Sequence, residues 1–220
     1  MILNLPVLIN ETNFKVDNGK IFSVKFLISQ NNSDNQHYIE ELSDQILSDL
    51  RKVKLNFTTN KKIDLLIAGQ KQKINSKQWV ASRLCLSKLL NFFSKNYKKN
   101  KYLAVSISHT KNFSIAAGIC SDTNIDVGVD IEEIDRMISN KVISRIKNSN
   151  DIHLSSNLDL WNIKEAVFKS IQLENQTSLN EINIIEKIHT NQFKCIFEKE
   201  AYSVNLVRTE NLNCAFSLRI

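Results

Sequence analysis

The sequence predicts an α+β protein built of two similar subdomains packed together, and three observations carry that expectation. Runs rich in β-branched and aromatic residues recur at 20–28, 102–107, 113–119 and 127–132, and again from 182 onward. Each half also holds a long stretch with an apolar face at helical spacing, near 76–97 and near 156–172. One proline and four glycines in 220 residues leave no room for a Pro/Gly-rich linker, and no fixed-period repeat is present. The expected division is 1–122 and 123–220, each part mixing strands with a long helix.

Taken in order, a turn at Asn18-Gly19 precedes a strand over 20–28. Ser33 or Asp34 caps a helix to about residue 53, whose apolar face carries Ile39, Leu42, Ile46, Leu47 and Leu50. A second helix starts near Asn75 or Ser76 and runs to about residue 97. Trp79, Val80, Leu84, Leu86, Leu89, Leu90 and Phe93 supply its buried side. Residues 102–107 and 113–119 read as adjacent strands joined by the polar turn Ser108-His109-Thr110-Lys111-Asn112. A strand at 127–132, a helix at about 137–148 and a helix at about 156–172 follow. The segments 182–188, 193–198, 202–207 and 214–219 alternate apolar and polar residues, which predicts antiparallel strands.

Hydrophobic content of 42% with 24% charged residues places the chain among ordinary globular proteins, and its apolar runs are too short to span a bilayer. Residues 1–9 show neither a basic region nor a small-residue cleavage site, so a cytoplasmic protein is expected. Cys85, Cys120, Cys195 and Cys214 have no CxxC spacing and lie among apolar neighbours, which predicts free thiols. The net charge of +6 points to a polyanionic partner: nucleic acid, a phosphorylated small molecule, an anionic membrane or an acidic protein.

Chemistry concentrates in two stretches. Val127-Gly128-Val129-Asp130-Ile131-Glu132 is a short strand whose two carboxylates share a face, because strand side chains alternate. Acids on a solvated edge strand are the ordinary account of a lone DxE. The apolar flanks argue for burial instead, and Gly128 admits a close neighbour, either another backbone or a ligand. Two crowded carboxylates call for a proton or a cation between them, and hard oxygen ligands suit Mg²⁺. In the second stretch, Trp161, Glu165 and Lys169 recur every four residues and share one side of a helix. Glu165 would then be a third carboxylate offered to the same cation. Lys164 and Lys169 would flank it, about 100° and about 40° around the axis. The plain alternative is a surface Glu–Lys pair worth about 0.2–0.5 kcal/mol, against which Trp161 and Phe168 argue for burial. His109 lies in a polar turn beside Ser108, where loops carry function, although a lone histidine is more often structural. No GxSxG, P-loop or dinucleotide fingerprint is present.

Together, Ile107-Ser108-His109-Thr110, then Val127-Gly128-Val129-Asp130-Ile131-Glu132, then Trp161-x-x-Lys164-Glu165-Ala166-x-x-Lys169 resemble the 4′-phosphopantetheinyl transferases of the surfactin type. Ser76-Lys77-Gln78-Trp79-Val80-Ala81-Ser82-Arg83 is similar to that family's basic-Trp-x-x-x-Arg helix. The chain departs from the family pattern at Asn100-Lys101-Tyr102, at Gln78, and in the longer turn that ends at Asp126. The resemblance implies two pseudo-symmetric halves in one chain. It implies an Mg²⁺-dependent transfer of phosphopantetheine from coenzyme A to a serine of an apo carrier protein, releasing adenosine 3′,5′-bisphosphate. Asp130, Glu132 and Glu165 match the metal ligands, and Glu165 also matches a residue that helps take the serine proton. Lys169 matches the lysine that steadies the diphosphate, with Lys164 beside it. Ser108, His109, Arg83 and Lys101 match positions that hold the nucleotide end of coenzyme A.

On this reading the surplus cations serve coenzyme A and an acidic acyl or peptidyl carrier, and the protein is a monomer without membrane or specific nucleic-acid partners. Two other classes stay open on the residues alone. One is a different Mg²⁺-dependent phosphotransferase or nuclease using the same carboxylates. The other is a basic nucleic-acid-binding protein, for which the Lys-rich run at 95–101 speaks.

Overall fold

The computed structural model of the chain describes residues 10–15, 21–30, 58–59, 77–97, 101–171 and 178–220. The expected turn at Asn18-Gly19 and the expected helix near 33–53 lie outside these residues. Two compact units share the described chain. One holds 10–11, 24–30, 58–59, 77–97 and 101–125; the other holds 12–15, 21–23, 126–171 and 178–220. Strands and helices are mixed in both, so the architecture is α+β.

One sheet has the order β1-β2-β5-β4-β3, with β1 (Asn10–Lys15), β2 (Ile21–Gln30), β3 (Thr58–Thr59), β4 (Tyr102–His109) and β5 (Phe113–Ser121); residues 12–15 of β1 and 21–23 of β2 are counted with the second unit, the rest with the first. β4 and β5 form the expected antiparallel pair, from Tyr102 opposite Ser121 to His109 opposite Ser114. Thr110 closes the turn between them: its hydroxyl accepts from the backbone N–H groups of Asn112 (3.1 Å) and Phe113 (3.0 Å). Helix α1 (Lys77–Asn96) covers this sheet because its apolar residues recur at helical spacing. Leu86, Leu89, Leu90 and Phe93 are fully buried, each contributing about 1.5–3 kcal/mol of apolar burial. The start of α1 is tied to β5, where the Ser114 hydroxyl donates to the Gln78 carbonyl at 3.4 Å.

The second unit contains β6 (Val127–Glu133), α2 (Asn140–Ile146), α3 (Asn157–Ser170), β7 (Asn183–His189), β8 (Gln192–Phe197), β9 (Glu200–Arg208) and β10 (Leu212–Arg219). The strands run β6-β10-β9-β8-β7, all antiparallel. β6 pairs with β10 from Val127 opposite Leu218 to Glu133 opposite Leu212. Ser156 caps α3, accepting from the Asp159 N–H at 3.2 Å. Ile163, Ala166 and Val167 enter a core with Ile184, Cys195 and Val204. Two polar contacts lock α3 onto β10: Asn162 Nδ2 donates to the Asn213 carbonyl at 2.8 Å, and the Ser170 and Ser217 hydroxyls meet at 3.2 Å.

Helix α2 is shorter than the expected 137–148. It starts after Ser139, whose hydroxyl accepts from Val142 N–H. It stops at Lys147 because the next N–H, of Asn148, goes to the Asp151 carboxylate at 2.7 Å rather than to a helix carbonyl. Among the described residues, no helix is long and apolar enough to cross a membrane.

Candidate functional site

The site is built where α3 crosses the face of β6 that carries Gly128, Asp130 and Glu132. A Cβ placed on Gly128 would stand 1.9 Å from the Ala166 carbonyl oxygen and 2.6 Å from Ser170 N. Only glycine admits the helix at that distance, so Gly128 serves a neighbouring backbone. Further along, the same side of α3 reaches the two acids. Lys169 Nζ contacts Asp130 Oδ1 at 2.6 Å, and Trp161 Nε1 donates to Glu132 Oε1 at 3.0 Å. Glu165 lies between Trp161 and Lys169 in sequence and shares their side of the helix.

β6 is an edge strand of its sheet, as the ordinary account of a DxE assumes, yet its acids are not solvated. Asp130 is 3% exposed and Glu132 4%. Charges so enclosed need partners. Asp130 has Lys169. Glu132 has Arg136, whose guanidinium bonds the same Oε1 that the indole holds and also lies 5.3 Å over the Trp161 ring. Burial nonetheless pushes the Glu132 carboxyl above its ordinary range, with Arg136 opposing and Asp130 adding to the rise. Glu165 is raised as well, first by burial. Lys169 and Arg136 pull it back, while Asp130 and Glu132 push it further. Three carboxylates against two side-chain cations leave one net negative charge in a poorly hydrated place.

Lys164 is not part of this cluster, contrary to the flanking position expected from sequence. Its side chain is fully buried on another side of α3, with Nζ 2.6 Å from the Ile182 carbonyl and 2.7 Å from Asp151 Oδ2. A step of about 100° around the helix carries it away from β6 and into the core. Asp151 completes the pocket by accepting from Ile184 N–H at 2.8 Å and from Asn148 N–H at 2.7 Å. Burial lowers the Lys164 pKa, and Asp151 opposes that shift. Phe168, expected to help bury the helix, is 36% exposed.

The remaining sequence candidates lie in the first unit. Ser108 is buried and His109 exposed at the end of β4, opposite Ile115 and Ser114. Ser114 also bonds Gln78, so this end of the β4–β5 pair lies beside the first turns of α1, where Arg83 sits. Arg83 packs over the Trp79 ring at 5.1 Å, donates to Ser82 Oγ at 3.1 Å, and is lowered by burial to about 10. Lys101 precedes the opposite end of β4, about 26 Å from His109 along an extended strand, and pairs with Asp122 at 3.3 Å. The structure therefore does not group Lys101 with Ser108, His109 and Arg83.

No protein-family model matches this sequence, and no curated protein is significantly similar to it. The chemistry of the site therefore rests on its own residues. Asp126, the acid just before the strand, is held by Arg219 at 3.1 Å and takes no part. Arg136 is the functional neighbour that sequence reasoning missed. It follows Glu132 by four residues, but in a turn after a strand, where no helical spacing rule points to it. Nor does the pattern point to the Trp161 indole N–H as a donor to Glu132, since in the sequence Trp161 marks only burial of the helix.

Among the described residues, no three His, Cys, Asp or Glu side chains are already drawn together as a metal-holding group. The donor set still suits a hard divalent ion. Asp130, Glu132 and Glu165 offer carboxylate oxygens, and the Lys169 and Arg136 side chains already stand as cations against two of them. These three acids are the residues that would hold Mg²⁺. Arg136 also lines an open cleft of about 570 Å³, together with Met137, Ser156, Asp159 and Arg208.

Proposed function

We propose that the protein transfers the 4′-phosphopantetheine group of coenzyme A to a serine of an acidic apo carrier protein, using Mg²⁺. The observation that carries this reading is the row formed across β6 and α3: Asp130 against Lys169, Glu132 against Trp161, and Glu165 between the two helix residues. The motifs on that row, preceded by Ile107-Ser108-His109-Thr110, are those that resemble the transferase family. The net charge of +6 suits a polyanionic substrate and an acidic protein partner.

In the transfer, a serine oxygen forms a bond to the β-phosphorus of the coenzyme A diphosphate as the bridging P–O bond breaks and adenosine 3′,5′-bisphosphate leaves. Such chemistry asks the protein mainly to position groups and neutralise charge. Mg²⁺ held by Asp130, Glu132 and Glu165 would supply positive charge to the diphosphate. Lys169, only 27% exposed, offers its ammonium to the same group. Glu165 accepts the serine proton, directly or through water. It is the resemblance alone that assigns Arg83, Ser108 and His109 to the nucleotide end; Lys164 has a structural task instead.

The test is to incubate the protein with coenzyme A, Mg²⁺ and several apo carriers, and to look by mass spectrometry for the phosphopantetheine adduct. The adduct should form with at least one carrier and disappear with Asp130→Ala, with Glu165→Gln or with excess chelator. No adduct on any carrier, or undiminished transfer in those variants, overturns the reading. Cleavage of a phosphodiester by the same residues would favour a nuclease.

A further inference from the structure

We infer that Arg136 is the resident counter-cation of Glu132, and that a divalent ion entering the carboxylates evicts it toward the adjoining cleft. This rests on the reading above that Asp130, Glu132 and Glu165 take such an ion. One oxygen of Glu132 receives two donors, the Arg136 guanidinium and the Trp161 indole N–H at 3.0 Å. The guanidinium lies 5.3 Å over the ring of that same tryptophan, so the three side chains form a closed set. Trp161 belongs to α3 and orients the carboxylate through a rigid element, whereas Arg136 belongs to the turn after β6.

Charge balance sets the direction of the exchange. With Lys169 and Arg136 in place the three carboxylates carry one net negative charge; a dication added to that arrangement leaves one net positive charge. Release of one side-chain cation restores neutrality in a place where excess charge is poorly solvated. Arg136 is the one that leaves. Its side chain is 44% exposed and lines the open cleft, while Lys169 is 27% exposed and reaches Asp130 from within α3.

Trp161 then reports the exchange, because the guanidinium over its ring and the acceptor of its N–H both change. The chain has two tryptophans, so Trp79→Phe leaves Trp161 as the sole emitter. The experiment titrates Mg²⁺ into the full chain, following heat by calorimetry and Trp161 emission, in the Trp79→Phe background with Arg136 intact and with Arg136→Met. Methionine keeps apolar cover over the ring and removes the charge. Arg136→Met should bind Mg²⁺ about ten-fold more tightly, since a competing cation is gone, and should lose most of the emission change. Trp161→Phe in the otherwise native chain guards against misfolding of the Trp79 variant: it should bind Mg²⁺ and lose the metal-dependent emission change. Equal or weaker Mg²⁺ affinity in Arg136→Met, with the emission change retained, overturns the exchange and leaves the metal reading standing. No Mg²⁺ heat in any of these proteins overturns both.

Discussion

Among single residues, Lys164 shows most clearly what a linear pattern can and cannot carry. Its place next to Glu165 was legible, and so was the lysine-flanked acid as a motif. Its partners were not, because Asp151 lies in the loop before α3 and the Ile182 carbonyl comes after it. A buried ion pair with one member deleted leaves an uncompensated charge, at a cost of about 3–5 kcal/mol. Lys164→Met should therefore lower stability by about that much in urea unfolding. Asp151→Ala should do no better, since it strands the ammonium and two backbone N–H groups together. If Lys164→Met unfolded like the parent and instead raised the coenzyme A requirement, the residue would return to the substrate-binding set. The shared face of Asp130 and Glu132, and the shared side of Glu165 and Lys169, were by contrast readable from periodicity, since strand alternation and the helical i,i+4 rule are local; that Lys169 pairs with Asp130 was not. Arg136 was not, because turns have no period.

Elements were readable wherever packing and periodicity agree. The helix spanning Lys77–Asn96, the β4–β5 pair and the four strands of the tail all stand where their patterns put them; β8 alternates buried and half-buried residues, whereas β5 and β10 are buried along almost their whole length. The end of α2 departs from its pattern, since a carboxylate at Asp151 intercepts its backbone. Gly128 was legible as a place of close approach, but the sequence left open what approaches it. The answer is the backbone of α3, and this makes a sharp test. Gly128→Ala sets a methyl against a carbonyl oxygen and a backbone nitrogen, neither of which is the far end of a flexible side chain. The helix has to lift, and destabilisation should exceed about 3 kcal/mol or abolish soluble expression. A variant within about 1 kcal/mol of the parent would show that α3 does not seat so closely on β6.

Across the whole molecule, the α+β class followed from strands and long helices recurring in both halves, and both units share a chemical limit at high pH. Cys85 in the first unit and Cys214 in the second are pushed by burial from 9.0 to about 12, and Cys195 is pushed up as well. All four cysteines are free thiols, as their spacing predicted. Unfolded thiols ionise near their ordinary value while the buried ones keep their protons, so above about pH 9 the unfolded chain binds fewer protons than the folded one. The stability these thiols contribute is whole below about pH 9 and is lost as the pH rises through about 12. Urea midpoints should fall more steeply between pH 9 and 11 for the parent than for a Cys85→Ala, Cys195→Ala, Cys214→Ala variant. Parallel falls would assign the alkaline limit to other groups.

The register of β6 also has a consequence in time. The strand that carries Asp130 and Glu132 hydrogen-bonds to β10, and Val127 waits for Leu218, roughly ninety residues later in the chain. At the usual ribosomal pace of about 5–20 residues per second, the nascent acidic strand spends about 5–20 s without its partner. Closing so long a loop is slow in its own right, so the β6–β10 ladder forms late, whereas the acids' side-chain partners Arg136, Trp161 and Lys169 follow within about forty residues. During that interval the mutual repulsion of the two acids is useful: it discourages a bare β-branched strand from pairing with another chain before β10 arrives.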